Sequence, residues 1–150
     1  MRTFKGHITK LEPHQYVVFG SNTQGIHMAG NAGWALKNAG AILGQSRGFQ
    51  GRGYAICTTE LVKQTEPKHR IGISRQEIID QIVTLYQEAT DLPQEDFLVM
   101  YTAGTTNLSG FTPEAFADMF WLAAQINKGL PENIVFEESF LELINNITKD

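Results

Sequence analysis

The stretch that decides the fold runs from Tyr16 to Thr59 and reads YVVFGSNTQGIHMAGNAGWALKNAGAILGQSRGFQGRGYAICTT. It begins with a continuous apolar run, Tyr16–Phe19, which is typical of a central strand that is covered on both faces. The run ends at Gly20-Ser21-Asn22, where a glycine-rich loop is predicted, and a helix is predicted over Ala29–Ala39. Such a loop aims unpaired N–H groups and the positive end of the helix dipole at one point, which suits an anionic ligand. The same pattern also fits a tight strand-to-helix turn of any α/β domain.

Charge is distributed unevenly along the chain. Residues 1–75 carry ten Lys and Arg against three acidic residues, which gives +7, whereas residues 76–150 carry two Lys against thirteen acidic residues, which gives −11. The basic half contains the glycine-rich loops, so the distribution favours an anionic small molecule. Acidic solvent-facing helices in the second half would give the same distribution. The net charge of −4 argues against general binding to nucleic acid duplexes.

Length and composition predict one cytoplasmic domain. A chain of 150 residues fits a single domain over residues 1–150. The single cysteine, Cys57, excludes an internal disulfide framework and favours a reducing compartment. No apolar run approaches the length of a membrane span, so no membrane partner is expected. The four histidines lack metal-ligand spacing, so neither a metal site nor a cofactor is expected. The oligomeric state is left open.

Alternating strands and helices predict the layout of the domain. Apolar runs predict buried strands at Tyr54–Thr58, Phe97–Tyr101 and Asn133–Phe136, with a short edge strand at Phe4–Ile8. Helices are predicted from the capping residues Ser74 and Thr112 and from the terminal stripe Phe140, Leu143, Ile144 and Ile147. Residues 40–53 and 60–73 are predicted to be irregular. This alternation predicts an α/β domain with a mixed, mainly parallel sheet between helices.

Ligands of such sheets bind beyond the carboxyl ends of the strands. Three predicted loops leave strands at that edge: Gly20–Gly30, Thr58–Glu60 and Thr102–Phe111. The first and third are rich in small residues and could hold a diphosphate between them. Neither contains a Walker motif or the dinucleotide fingerprint, which weakens NTPase and dehydrogenase interpretations. The candidate binding residues are Gly20, Ser21, Gly25, Gly30, Asn31, Gln45, Arg47, Thr106, Asn107, Ser109, Gly110 and Phe111.

Three side chains are candidates for catalysis. Asn22 either orients a ribose hydroxyl or water, or bonds to the loop backbone as a cap. His27 either contacts a phosphate and acts as acid or base, or is an exposed histidine at the helix entry. Glu60 serves either as a general base or as an ordinary solvated carboxylate at a strand end.

The motif F-G-S-N-x-x-G-x-H-x-x-G, followed by G-A-I-x-G-Q and G-x-x-Y-A-I-x-T, resembles the small macrodomain-like proteins encoded by bacteria and their phages. The resemblance covers about residues 15–145. More distantly, Asn22 and the glycines after it are similar to the first ligand loop of macrodomains, whose members bind ADP-ribose and sometimes hydrolyse its linkages. The second loop departs from the pattern, because Thr105 and Asn107 replace glycines.

This resemblance implies a three-layer α/β/α macrodomain-like fold that binds ADP-ribose or a related NAD-derived nucleotide. One alternative is a metal-independent hydrolase of ADP-ribosyl or nucleotide-phosphate linkages, in which Asn22 positions water and His27 or Glu60 assists. Another alternative is a structural or interaction protein without a ligand.

Overall fold

Strands and helices alternate along the chain in the order that an α/β domain requires. The structure is a computed structural model that describes residues 2–25, 30–62, 69–101 and 111–148. Its strands are β1 (Thr3–Phe4), β2 (Gln15–Asn22), β3 (Gly48–Gln50), β4 (Gly53–Val62), β5 (His69–Gly72), β6 (Asp96–Val99) and β7 (Ile134–Glu137). Its helices are α1 (Gly30–Asn38), α2 (Arg75–Thr90), α3 (Pro113–Ile126) and α4 (Glu138–Thr148).

All seven strands belong to one mixed sheet with the order β1-β7-β6-β2-β4-β3, and β5 also pairs with β4. Strand β2 is central, and both of its neighbours run parallel to it: Val18 lies opposite Val99 of β6, and Gly20 lies opposite Ile56 of β4. Strands β3 and β5 are the antiparallel members, and both pair with β4. The predicted α/β class with a mixed, mainly parallel sheet is therefore confirmed.

Helices cover both faces of the sheet, which gives three layers. Val17 and Phe19 of β2 belong to a buried cluster that includes Ala35 of α1. Val18 points to the opposite face, where its cluster includes Ile82 of α2 and residues of α3 and α4. The continuous apolar run in β2 thus supplies side chains to two cores, as a doubly covered strand must. In the part of the chain that the structure describes, no helix is long and apolar enough to cross a membrane.

Short strands replace two segments that were predicted to be irregular. Within residues 40–53, β3 pairs with the start of β4 through Phe49 and Tyr54, and positive φ at Gly51 (59°) allows the tight turn between them. Within residues 60–73, β4 continues to Val62 and pairs with β5. Neither short strand has a periodic pattern of its own in the sequence. Both form because their backbones pair with β4.

Three further boundaries differ from the sequence prediction. Residues Gly20–Asn22 end strand β2 rather than begin a loop, because β4 continues beside them and Asn22 pairs with Thr59. The edge strand near the N-terminus is Thr3–Phe4 instead of Phe4–Ile8. Strand β6 begins at Asp96 and ends at Val99, so the predicted strand end at Tyr101 is two residues too long.

The predicted helix starts at Ser74 and Thr112 are confirmed. The Ser74 hydroxyl accepts a hydrogen bond from the Glu77 amide at 3.2 Å, and the Thr112 hydroxyl accepts one from the Ala115 amide at 3.1 Å. The start of α4 is capped by the buried carboxylate of Glu137, which accepts hydrogen bonds from the amides of Ser139 and Phe140. These caps satisfy donors that the first turn of a helix leaves unpaired.

A side chain completes the outer edge of β4 between β3 and β5. The Gln81 side chain of α2 accepts a hydrogen bond from the Cys57 amide at 2.7 Å and donates one to the Cys57 carbonyl at 2.8 Å. Cys57 lies midway between Ala55, which pairs with β3, and Thr59, which pairs with β5. The amide group of Gln81 therefore makes the two bonds that a strand would otherwise make.

Candidate functional site

The helices that follow β2 and β6 pack on opposite faces of the sheet. Strand β2 leads to α1, which packs on the face of Val17 and Phe19, whereas β6 leads to α3, which packs on the face of Val18. The two strands are adjacent and parallel. Diverging connections from adjacent parallel strands leave a crevice between them, and open α/β sheets bind ligands in this crevice. We call this place, beyond the ends of β2 and β6, the β2–β6 crevice.

Gly20 opens the central strand to solvent next to this crevice. Gly20 is exposed, whereas the residues on either side of it in β2 are buried: Val17, Val18, Phe19, Ser21 and Asn22. A Cβ placed on Gly20 would meet only the Thr58 side chain, at 3.5 Å from Oγ1 and 3.9 Å from Cγ2. The last pair between β2 and β6 is Val18 and Val99, so Gly20 lies past the end of β6, with β4 as its paired neighbour. Solvent therefore reaches the sheet itself at Gly20.

Asn22 bonds to the loop that follows it. Its side-chain oxygen accepts a hydrogen bond from the Gln24 amide at 3.1 Å, and its backbone carbonyl accepts one from the Gly25 amide at 2.9 Å. The Thr23 amide donates to the Thr59 carbonyl at 2.9 Å. The expectation that the first amides after β2 point at a ligand is therefore wrong for Thr23, Gln24 and Gly25. The Thr23 amide bonds to β4, and the other two amides bond to Asn22 within the turn.

The first glycine-rich loop packs tightly against the loop before β3. Gly25 has φ of 65°, and a Cβ on it would lie 2.4 Å from the amide nitrogen of Gln45 and from the carbonyl carbon of Gly44. The Gly44 amide donates a hydrogen bond to the Gly25 carbonyl at 2.9 Å. Gly25 is thus required by contact between two backbones of the protein, whereas the sequence suggested contact with a ligand.

Gln45 and Arg47, two predicted phosphate contacts, have structural partners. The Gln45 side chain donates hydrogen bonds to the carbonyls of Arg47 and Phe49, at 3.1 and 2.7 Å. The exposed Arg47 guanidinium lies 3.6 Å from the carboxylate of Glu77 on α2. Both residues therefore brace the loop before β3.

The N-terminus of α1 follows β2 and differs from the other helix starts. Among the four helices that the structure describes, only α1 has no acidic residue in its first turn; α2, α3 and α4 have Glu77, Glu114 and Glu138 there. Gly30 begins α1 with φ of 61°, and nothing lies within 4 Å of a Cβ placed on it. The amides of a first helical turn have no partner within the helix. The positive end of the α1 dipole is thus not offset by an acidic side chain of its own first turn.

The other predicted site residues are distributed as follows. Asn31 lies in α1 and is half-buried. Phe111 packs edge to face on Phe116, with ring centroids 5.8 Å apart, and so contributes to the core under α3. Glu60 lies in β4, with its side chain outside the described residues. Also outside the described residues lie His27, Thr106, Asn107, Ser109 and Gly110.

Thr58 was predicted only as the end of a strand and the start of a loop, yet its side chain is the nearest group to a Cβ placed on the exposed Gly20. Its hydroxyl also donates a hydrogen bond to the Ser21 carbonyl at 3.4 Å. Parallel pairing places Ile56 opposite Gly20 and carries Thr58 past it toward the carboxyl edge. The sequence carries no local signal for this contact, because it depends on the register between β2 and β4.

Cys57 is buried and is not part of an accessible site. Burial raises the pKa of its thiol, and this effect outweighs the opposing influence of the nearby Arg47 guanidinium. A raised pKa keeps the group as an unreactive thiol above the pH at which an exposed cysteine ionises. We expect alkylation by iodoacetamide at about pH 8 to be slower for the native protein than for the urea-unfolded protein by on the order of a hundredfold. Equal rates, measured by mass spectrometry, would contradict this assignment.

Comparison with known proteins gives no relative on which to base a function. No protein-family model matches the chain, and no curated protein sequence matches it. Within the described ranges, no group of three or more His, Cys, Asp or Glu side chains is placed to hold a metal ion.

Proposed function

We propose that this protein binds ADP-ribose or a related NAD-derived nucleotide in the β2–β6 crevice, with the diphosphate at the N-terminus of α1. The observation that carries the proposal is the exposure of Gly20 on the central strand. A ligand that reaches the sheet at Gly20 lies beside the end of β2, and α1 begins eight residues after that end. A ribose or a flat base fits against a residue without a side chain, because the backbone can be approached closely there.

Electrostatics favour the anionic part of such a ligand at this end of the sheet. The first 75 residues carry a net charge of +7, and they include β2 and α1. The first turn of α1 adds a partial positive charge without an acidic residue of its own. Backbone donors at a helix N-terminus bind phosphate groups readily. A diphosphate is the simplest ligand group that uses both features.

The resemblance of Phe19-Gly20-Ser21-Asn22 and the glycines after it to the first ligand loop of macrodomains supports the same ligand. In this chain the side-chain oxygen of Asn22 holds the start of the loop through the Gln24 amide. Asn22 is therefore proposed to fix the path of the loop toward α1 rather than to act on the substrate. This role requires binding only, without a catalytic step.

Replacing Gly20 by leucine is expected to weaken ADP-ribose binding at least about tenfold, which corresponds to about 1.4 kcal/mol. The backbone at Gly20 does not have positive φ, and a Cβ there makes only ordinary contact with Thr58. The larger side chain can thus be accommodated by the fold while it occupies the opening. Isothermal titration calorimetry with ADP-ribose, NAD and ADP measures the change for wild type and variant.

Thr84→Leu supplies the matched control, because Thr84 is exposed on α2 and adds the same side chain away from the crevice. This control variant is expected to bind ADP-ribose as tightly as wild type. Absence of binding by wild type to all three nucleotides would refute the proposed function. Unchanged binding by Gly20→Leu would refute the placement of the ligand at Gly20.

A further inference from the structure

Two adjacent aliphatic side chains are exposed beside the loop that follows β2. Ile42 is 50% exposed and Leu43 is 56% exposed, and they are two of the four large hydrophobic residues that are exposed in the described part of the chain. The other two, Leu92 and Ile126, lie in a turn after α2 and at the last residue of α3. Single exposed apolar side chains are ordinary on protein surfaces, but an adjacent pair at a candidate site is informative.

The backbone under Ile42 and Leu43 is held in place on both sides. The Ile42 amide donates a hydrogen bond to the side-chain oxygen of Gln50 at 2.7 Å, and the Ile42 carbonyl accepts one from the Gln45 amide at 3.1 Å. Ala41, the preceding residue, is buried in the core under α1. These contacts fix the segment, so the two side chains are presented to solvent without any loss of order in the loop.

This pair lies next to the loop that leads from β2 to the crevice. Leu43 immediately precedes Gly44, whose amide donates to the Gly25 carbonyl and whose backbone is in direct contact with Gly25. Gly25 is three residues beyond Asn22, the last residue of β2. The aliphatic pair therefore belongs to the rim of the same edge of the sheet as Gly20 and the N-terminus of α1.

We infer that Ile42 and Leu43 form the apolar surface on which the nucleobase of the bound nucleotide rests. This inference depends on the proposed function, and it adds a contact for the nucleobase. The N-terminus of α1 would bind the diphosphate, which is the charged part of the ligand. The base has no such partner there and would be stabilised by burial against an apolar surface. Phe49, the next aromatic residue along the chain, packs on Tyr16 and Tyr54. The aliphatic pair provides such a surface beside the loop that follows β2.

The double variant Ile42→Ser/Leu43→Ser tests the inference by separating the base from the rest of the ligand. Titration calorimetry with ADP-ribose is expected to show binding weakened about tenfold. The same variant is expected to bind ribose 5-phosphate, which has no base, as well as wild type does. Both side chains are at least half exposed, so the fold should be retained, and urea unfolding of the variant verifies this.

Leu92→Ser/Ile126→Ser is the matched control, since it removes the two other exposed aliphatic residues. It is expected to leave both affinities unchanged. Equal affinity of wild type and Ile42→Ser/Leu43→Ser for ADP-ribose would overturn the inference, and so would equal losses for ADP-ribose and ribose 5-phosphate. If Gly20→Leu still weakened binding in that case, the proposed function would stand without this base contact. Wild type that binds no nucleotide would refute both.

Discussion

Replacing Gly25 by alanine is expected to lower the free energy of unfolding by at least about 3 kcal/mol. The new methyl group would lie 2.4 Å from backbone atoms of Gly44 and Gln45, which is closer than any real contact. The positive φ of 65° adds the strain that an L side chain meets in this region. Relief requires that the two loops separate, which breaks the hydrogen bond from the Gly44 amide to the Gly25 carbonyl. Urea unfolding followed by circular dichroism measures the loss.

Gly44→Ala distinguishes the clash from the strain. Gly44 also has positive φ, at 91°, but nothing lies within 4 Å of a Cβ placed on it. This control should therefore lose only about 1–2 kcal/mol, the cost of the left-handed backbone for alanine. Similar losses for both variants would show that close packing between the two loops is not what requires glycine at position 25.

Replacing Asn133 by aspartate is expected to destabilise the protein by about 3–5 kcal/mol. The Asn133 amide nitrogen is buried and donates to the carbonyls of Ala89, Leu92 and Glu95, at 2.9, 3.0 and 2.9 Å. Aspartate has no N–H group and would direct a negative charge toward three carbonyl oxygens. The three carbonyls belong to the end of α2 and the turn that leads to β6, so one buried side chain links the two.

The Asn133→Asp loss should depend on pH. The introduced carboxyl group binds its proton more tightly in the folded state, because only the protonated form can donate to a carbonyl. Because the pKa of this carboxyl group is raised in the folded state, the loss in free energy of unfolding is small below the ordinary carboxyl pKa of about 4. The loss grows as the pH rises above that value. Denaturant unfolding across that range measures the effect. Asn127→Asp, at the end of α3, is the control, because the Asn127 side chain donates to one carbonyl only, that of Gly129. A pH-independent loss at Asn133 would contradict the assigned contacts.

The main elements of the fold could be predicted because each carries its own local signal. The apolar run before Gly20 predicts β2, and the capping residues Ser74 and Thr112 mark the starts of α2 and α3. Strands β3 and β5 could not be predicted in the same way. Each is only three or four residues long and exists because β4 offers backbone partners, which is a nonlocal property.

The contacts of the candidate site residues were harder to predict than the sheet itself. The edge of the sheet beyond β2 follows from the order of strands and helices, but the partners of individual side chains do not. Gln45 and Arg47 have the chemistry of phosphate ligands, and sequence alone does not reveal that the loop backbone and Glu77 are their partners. The exposure of Gly20 was also hidden, because it depends on where β6 ends beside β2.

The contact between Gln81 and Cys57 has a consequence for how molecules of this protein meet one another. Unpaired backbone groups at a sheet margin invite strands from other chains, and such pairing leads to aggregation. At the gap between β3 and β5, the side chain of Gln81 already holds both polar groups of Cys57. An incoming strand would have to displace this buried amide before it could extend the sheet. A single glutamine on a helix thereby protects that margin against uncontrolled association.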